Sequence, residues 1–246
     1  MNMPVYRHEL KFLCDERQLY ILEDRIRHIC RRDVHVGDEG LYLVKSLYFD
    51  TYGDRCYHEN LAGVDIRKKY RIRIYNNDPD TMKLECKYSR HNRKAKESCR
   101  LSREQYNRLM DKCQELRIWK ELSGYGMGEQ KKIMNDQNLL GRFLLEKNME
   151  LLEPKVIVEY ERTPYVYAAG NVRITFDRAI RSSAQVKDFP KRNTASRSIL
   201  PEGTHIMEVK YDEVLPAAIL GVLVVGQELQ HISFSKYTLC RKYAGR

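Results

Sequence analysis

Charged residues recur at every second position in several short stretches of this chain. In YRHELKF (6–12), Arg7, Glu9 and Lys11 alternate with His8, Leu10 and Phe12. In IRKKYRIRIYN (66–76), Arg67, Lys69, Arg71 and Arg73 alternate with Tyr70, Ile72 and Ile74. TMKLECKYS (81–89) sets Lys83, Glu85 and Lys87 against Met82, Leu84, Cys86 and Tyr88. NVRITFD sets Arg173, Thr175 and Asp177 against Val172, Ile174 and Phe176, and HIMEVKYD sets Glu208 and Lys210 against Met207 and Val209. The pattern is weaker in KVIVEYER, where Glu159 and Glu161 oppose Val156, Val158 and Tyr160. Side chains alternate across a strand, so each stretch has one ionisable and one apolar face. Guanidinium forks grip phosphate oxygens in pairs, lysines act as point charges, and carboxylates offer hard oxygens to a divalent metal. Together these residue types suit a phosphate chain and its metal.

Two arrangements explain such faces. An antiparallel sheet with one side on a core and the other in water looks like this, and for any single strand that is the simpler explanation. The faces here, however, carry almost only ionisable groups and mix several cations with one or two carboxylates per strand. A closed barrel turns them inward around a lumen and the apolar side chains outward against helices. Facing like charges would repel strongly when that lumen is empty, and a polyanion with a metal would relieve them.

The strands must be positioned by a chain of 246 residues, long enough for one large domain or two small ones and for a sizeable core. A formal charge of +10 favours an anionic partner without choosing among nucleic acid, polyphosphate, phosphorylated small molecules and anionic membranes. Seven cysteines, odd in number and widely spaced with no CxxC, argue against a disulfide framework or zinc site and for a reducing cytoplasm. The amino terminus lacks a signal-peptide core. The longest apolar run, near 217–226, is about half the ~20 residues of a membrane helix.

Strands are expected at the opening stretch, SLYFDT (46–51), 66–76, 81–89, 155–167, 171–180 and 205–212. Asn76, Asn77, Asp78 and Pro79 form a turn that makes the third and fourth of these a hairpin. Asp15 caps a helix with Leu19, Leu22, Ile26 and Ile29 on one face, and Ser102 with Gln105 spaces a capping box. Helices are expected to dominate from there to about 150, with another over about 215–229; the polar segment from Ser183 to Gly203 reads as a mobile loop. Helices grouped rather than alternating with antiparallel strands indicate an α+β class.

Taken in order, YRHELKF, SLYFDT, KYRIRIYN, LECKY, VEYERTPY, NVRITFD, MEVKY and FSKY resemble the vacuolar transporter chaperone (VTC) domain, over essentially the whole chain. That family belongs to the triphosphate tunnel metalloenzymes, related to the CYTH group. The resemblance implies an eight-stranded antiparallel β-barrel, a triphosphate tunnel with a charged lumen flanked by helices. It implies binding of ATP and inorganic polyphosphate or triphosphate with Mn²⁺ or Mg²⁺, and polyphosphate synthesis from the γ-phosphate of ATP.

By motif, the resemblance assigns Arg71, Arg73, Lys87, Arg162 and Arg173 to the catalytic set, and Lys11, Lys96 and Lys236 to substrate binding. Lys94 competes with Lys96 for its position. Glu208 matches the metal-binding glutamate, with Glu85 and Glu9 as assistants. Arg7 stands where many tunnel enzymes carry the first glutamate of ExExK, a departure that suits the VTC branch and argues against a CYTH-type hydrolase. A phosphate nucleophile is already anionic, so no general base is assigned.

A metal-dependent tripolyphosphatase or nucleoside triphosphatase shares every binding residue. A polyphosphate- or inositol-phosphate-binding module shares them without turnover. A nucleic-acid partner is not expected: several tyrosines fall on apolar faces and no binding signature for DNA or RNA appears. Translocation of any polymer would call for a membrane-protein partner.

Overall fold

The computed structural model describes residues 5–34, 36–37, 40–111, 139–224, 229–233 and 235–244. Among them, eight long strands build the frame: β1 (His8–Asp15), β2 (Tyr42–Asp50), β3 (Arg67–Tyr75), β4 (Asp78–Arg90), β5 (Arg93–Arg100), β6 (Glu153–Tyr167), β7 (Val172–Ser183) and β8 (Thr204–Tyr211). They pair antiparallel in the order β1-β8-β7-β6-β2-β3-β4-β5. Continuous pairing stops at β5. The seam to β1 is one bridge, in which Arg7 and Lys94 exchange backbone hydrogen bonds of 2.9 and 2.8 Å. The result is the expected α+β barrel, a single curved sheet brought round on itself.

Turn chemistry fixes the hairpins. Asn76 and Asn77 adopt φ of +51° and +54°, and His91 and Asn92 adopt +48° and +58°. Two successive residues with positive φ match the twist of the flanking strands, so β3, β4 and β5 form a tight meander. Strand β5 has no counterpart among the expected elements.

Six helices lie among the described residues: α1 (Glu16–Ile29), α2 (Arg55–Leu61), α3 (Arg103–Met110), α4 (Leu139–Met149), α5 (Ala217–Val224) and α6 (Lys236–Ala244). The Asp15–Gln18 and Ser102–Gln105 capping boxes both form, each satisfying two otherwise unpaired backbone groups. Leu19, Leu22 and Ile26 of α1 are buried as the spacing predicts, whereas Ile29 is exposed. Most of the helical stretch expected up to 150 lies outside the described residues.

Two apolar layers coat the barrel. Leu47, Phe49, Ile72, Ile74 and Leu84 meet Tyr106 of α3 and Phe143 of α4. Ile174, Phe176, Met207 and Val209 meet Leu22 and Ile26 of α1 and Ile219 of α5. A third apolar cluster corrects the expectation of grease on the outside only. Val44, Val156, Val158, Ile180 and Ile206 pack with Tyr237 and Cys240 of α6, which stops one end of the barrel.

That plug explains a second correction. On β6 the glutamates are not on the lumen side. Ile157 packs in the outer layer, so Glu159 and Glu161, of the same parity, face outward, while Val156, Val158, Tyr160 and Arg162 face inward. Opposite them, β7 shifts register, and Ala179 adopts φ of +48°. A β-bulge of this kind moves the inward parity from Asp177 to Ile180.

The segment expected to be a mobile loop is anchored instead. Phe189 is fully buried in the outer layer, and the buried Lys45 Nζ donates to Lys191 O at 2.8 Å and Thr194 Oγ1 at 2.7 Å. One buried aromatic ring and one satisfied ammonium hold the excursion against β2 and β6.

Candidate active site

Closing the sheet turns the charged faces of β1, β3, β4, β7 and β8 onto a common axis. The lumen comprises two cavities that share Glu9, Arg71, Arg73, Lys87, Arg162 and Lys210. The residues lining them include fourteen lysines and arginines and two glutamates, Glu9 and Glu208, while the buried carboxylates of Glu85 and Asp177 also occupy inward-facing positions. Such an excess leaves a strongly positive interior, which favours a polyanion.

On the β6–β7–β8 side the charges are matched. Arg162 holds Asp177 by a two-point fork, Nε to Oδ1 at 2.6 Å and Nη2 to Oδ2 at 2.7 Å. Lys236, at the first turn of α6, reaches Asp177 Oδ2 at 2.5 Å and Glu208 Oε1 at 2.7 Å. Burial alone would raise both carboxyls. The fields of Arg162 and Lys236 outweigh it at Asp177, as those of Lys236, Lys210 and Arg162 do at Glu208, and both stay below the usual carboxylate range. Burial likewise opposes the Lys236 charge, but Asp177 and Glu208 hold it above the ordinary lysine value.

On the β3–β4–β5 side the match fails. Glu85 is the one carboxylate among the lumen-facing positions of these strands that the described residues show. It accepts from Arg71 Nε and Lys96 Nζ, each at 2.6 Å. Arg71 also donates to Tyr48 Oη at 2.9 Å. Arg73 donates to Ser46 Oγ and Tyr160 Oη, both at 3.0 Å, and stands 4.0 Å from Glu85. Lys69, Lys87 and Lys96 face each other directly across three adjacent strands. Like charges opposite one another in a ladder are unfavourable.

Lys87 makes no ion pair or hydrogen bond among the described residues. Burial and the neighbouring Arg71 push its ammonium well below the ordinary lysine value, with Glu9 only partly opposing. Burial, then Lys11, lowers Lys69 to about 7; among the described residues its Nζ donates only to Ser235 Oγ, at 3.2 Å.

The other assigned residues also face this interior. Lys11 pairs with Glu9 at 2.9 Å, across the β1–β8 ladder from Glu208. Lys94 donates to Ser89 Oγ at 2.5 Å while Lys96 holds Glu85, so both lysines line the lumen. Arg173 sits at the rim, where it meets Asp33 at 2.8 Å and Tyr42 Oη at 3.3 Å. Arg7 pairs with Asp212 at 2.7 Å and supplies the seam bridge.

Asp177, Tyr48, Tyr160 and Lys69 were assigned no role from sequence. Parity marked Asp177 and Lys69 as inward; the tyrosines lie on faces whose direction only the closed barrel reveals.

The carboxylates differ in what they leave for a metal. Both oxygens of Glu85 are held by cations at 2.6 Å, so this residue does not fit the metal role assigned to it. Glu9 Oε2 and Glu208 Oε2 converge on Lys210 Nζ at 3.6 and 3.5 Å. Beside Glu208 in the ladder, Thr175 Oγ1 is buried without a hydrogen-bond partner among the described residues. Those hard oxygens fit a divalent cation. Among the described residues no three His, Cys, Asp or Glu side chains converge on a metal-sized site.

No curated protein matches the chain. Solved structures similar to it include the PH1012 protein of Pyrococcus horikoshii OT3, with 11% identity, a TM-score of 0.48, and 95% of this chain and 98% of that one covered. The PH1819 protein of the same organism shows 13% identity and a TM-score of 0.44 over 95% and 97% of the two chains. A structure described as a putative adenylate cyclase from Bacillus halodurans shows 13% identity and a TM-score of 0.41 over 89% and 86%. The profile of the VTC domain matches residues 6–244, almost the whole sequence, and the chain therefore belongs to the VTC domain family.

Proposed function

We propose that this protein is a polyphosphate polymerase-like phosphoryl transferase, moving the γ-phosphate of ATP onto a polyphosphate chain with Mn²⁺ or Mg²⁺. The observation that carries the reading is the row Lys69–Lys87–Lys96, a run of facing ammonium groups with one carboxylate beside it. An enclosed surplus of that kind is relieved by an anion long enough to touch several strands at once. Family membership supports phosphoryl handling there.

Phosphoryl transfer depends on alignment and charge stabilisation. Arg71 and Arg73 are oriented by Tyr48, Tyr160 and Ser46, so their free N–H groups can grip phosphate oxygens without reorganising. Arg162 is fixed by Asp177, and Lys87 adds a charge held by no carboxylate among the described residues. Lys11, Lys96 and Lys236 flank this centre, and Arg173 guards one mouth. The terminal phosphate oxygen of the chain forms the new P–O bond as the bond to ADP breaks, and no proton need move. Glu9 and Glu208 would hold the metal, which when bound would neutralise charge on the phosphates.

The test is incubation of the purified protein with ATP and Mn²⁺. Long acid-labile phosphate chains are expected. Free phosphate without chains would replace the reading with a hydrolase, and tight triphosphate binding without turnover would replace it with a binding module. Arg73→Ala should abolish turnover with the circular dichroism spectrum unchanged; wild-type turnover would remove Arg73 from the site.

A further inference from the structure

Lys210 differs from the other lumen lysines in what it faces. Its Nζ stands 3.6 Å from Glu9 Oε2 and 3.5 Å from Glu208 Oε2, and among the described residues it has no closer polar partner. The opposite oxygen of each carboxylate is taken at shorter range, Glu9 Oε1 by Lys11 at 2.9 Å and Glu208 Oε1 by Lys236 at 2.7 Å. Glu208 Oε2 is also 3.4 Å from Arg162 Nη2. Two carboxylate oxygens from neighbouring strands are thus aimed at one loosely held ammonium.

A third oxygen lies next to Glu208 in the ladder. Thr175 is the ladder partner of Glu208 on the inward face, is 2% exposed, and its hydroxyl finds no hydrogen-bond partner among the described residues. Buried hydroxyls are rarely left in that state, and an orphan beside Glu208 marks a place built for a ligand. Carboxylate and hydroxyl oxygens suit a hard divalent cation better than a primary ammonium, which needs hydrogen-bond distances that Lys210 does not reach.

We infer that Lys210 is a tethered counter-ion occupying the position of a divalent cation between Glu9 and Glu208, and that the cation binds by displacing it. The inference rests on the phosphoryl-transfer reading only in that the reaction uses such a metal. In the empty barrel Lys210 keeps two buried carboxylates from facing each other uncompensated. Its flexible four-carbon stem lets the ammonium leave without disturbing β8. Because Lys210 lines both cavities, the displaced charge stays in the lumen, where an incoming polyanion meets it. Metal entry therefore adds to the positive field twice, by its own charge and by freeing a lysine.

The experiment titrates Mn²⁺ alone, without nucleotide, into the intact chain and follows the free ion by electron paramagnetic resonance. Lys210→Met and Lys210→Gln should each bind Mn²⁺ roughly tenfold more tightly than the unaltered chain, the scale of two partly exposed ion pairs removed. Adding Glu208→Gln to Lys210→Met should cancel the gain. Unchanged or weaker affinity in the two single variants, or a gain that survives Glu208→Gln, overturns the inference. The polymerase reading fails separately: ATP without chain synthesis would sink it and leave the Mn²⁺ titration standing.

Discussion

The two sides of the lumen hold similar residues and solve opposite problems. On the β6–β7–β8 side, Arg162, Lys236, Asp177 and Glu208 neutralise one another in a buried cluster. On the β3–β4–β5 side, Arg71, Arg73 and Lys96 draw on Glu85, the single inward carboxylate among the described residues there, and Lys69 and Lys87 pair with none. The first side is scaffold as much as site, since removing one member strands the others in a dry place. The second is strained by repulsion until an anion arrives. An anion site is thus recognised by the cations left over after the local carboxylates are counted, more than by cations as such.

The comparison breaks most sharply at Asp177. Asp177→Ala removes the fork partner of Arg162 and one partner of Lys236, and should cost about 3–5 kcal/mol in urea unfolding whether or not triphosphate is present. A loss under about 1 kcal/mol, the range of a surface pair, would show that this side is not a buried scaffold.

Lys87→Met should act in the opposite sense. Triphosphate affinity by calorimetry should fall on the order of 10–100-fold, the scale of one charge-assisted hydrogen bond to phosphate in an enclosed site. The empty protein should become more stable by roughly 0.5–1 kcal/mol, because a facing like charge is gone. Destabilisation of the empty protein would mean that Lys87 is paired after all.

Saturating tripolyphosphate sharpens the same point. At about 100 times its Kd it should stabilise the unaltered protein by about 2.7 kcal/mol, read as a raised unfolding midpoint. In Lys87→Met the same concentration should give a visibly smaller rise.

A further test uses pH. Lys69 is lowered to about 7 in the folded protein, whereas an unfolded lysine titrates near its ordinary 10.5. Between those values the unfolded chain binds more protons, so the stability of the empty protein rises with pH from about 7. Triphosphate affinity should fall over the same range as Lys69 gives up its charge. Urea unfolding and calorimetry at pH 7 and pH 9 check both signs, and Lys69→Met should flatten both slopes.

How much of this was legible varies by strand. On β1, β3, β4, β7 and β8 the alternation named the lumen face correctly, because one side of each strand is apolar and must pack against helices. On β6 the same rule picked the wrong face. Its inward side carries Val156 and Val158, which meet α6 inside the barrel, and nothing within KVIVEYER announces a helix arriving from residues 236–244. The reset of parity at Ala179 was equally hidden, since alanine at positive φ carries no turn signal. Phe189 and Lys45 show the same limit: a polar, turn-rich stretch reads as loose until a distant strand supplies its anchors.

The sequence by itself determined which side chains share a face, because the two-residue period of a strand is local and needs no partner. It also determined the sign of the lumen, since most ionisable residues of that period are basic. Only the tertiary structure decided which face points inward at the plugged end and which cations keep a carboxylate to themselves. Both depend on what lies across a lumen no wider than a few side chains, and that is settled by closure of the sheet, which brings together residues more than a hundred positions apart.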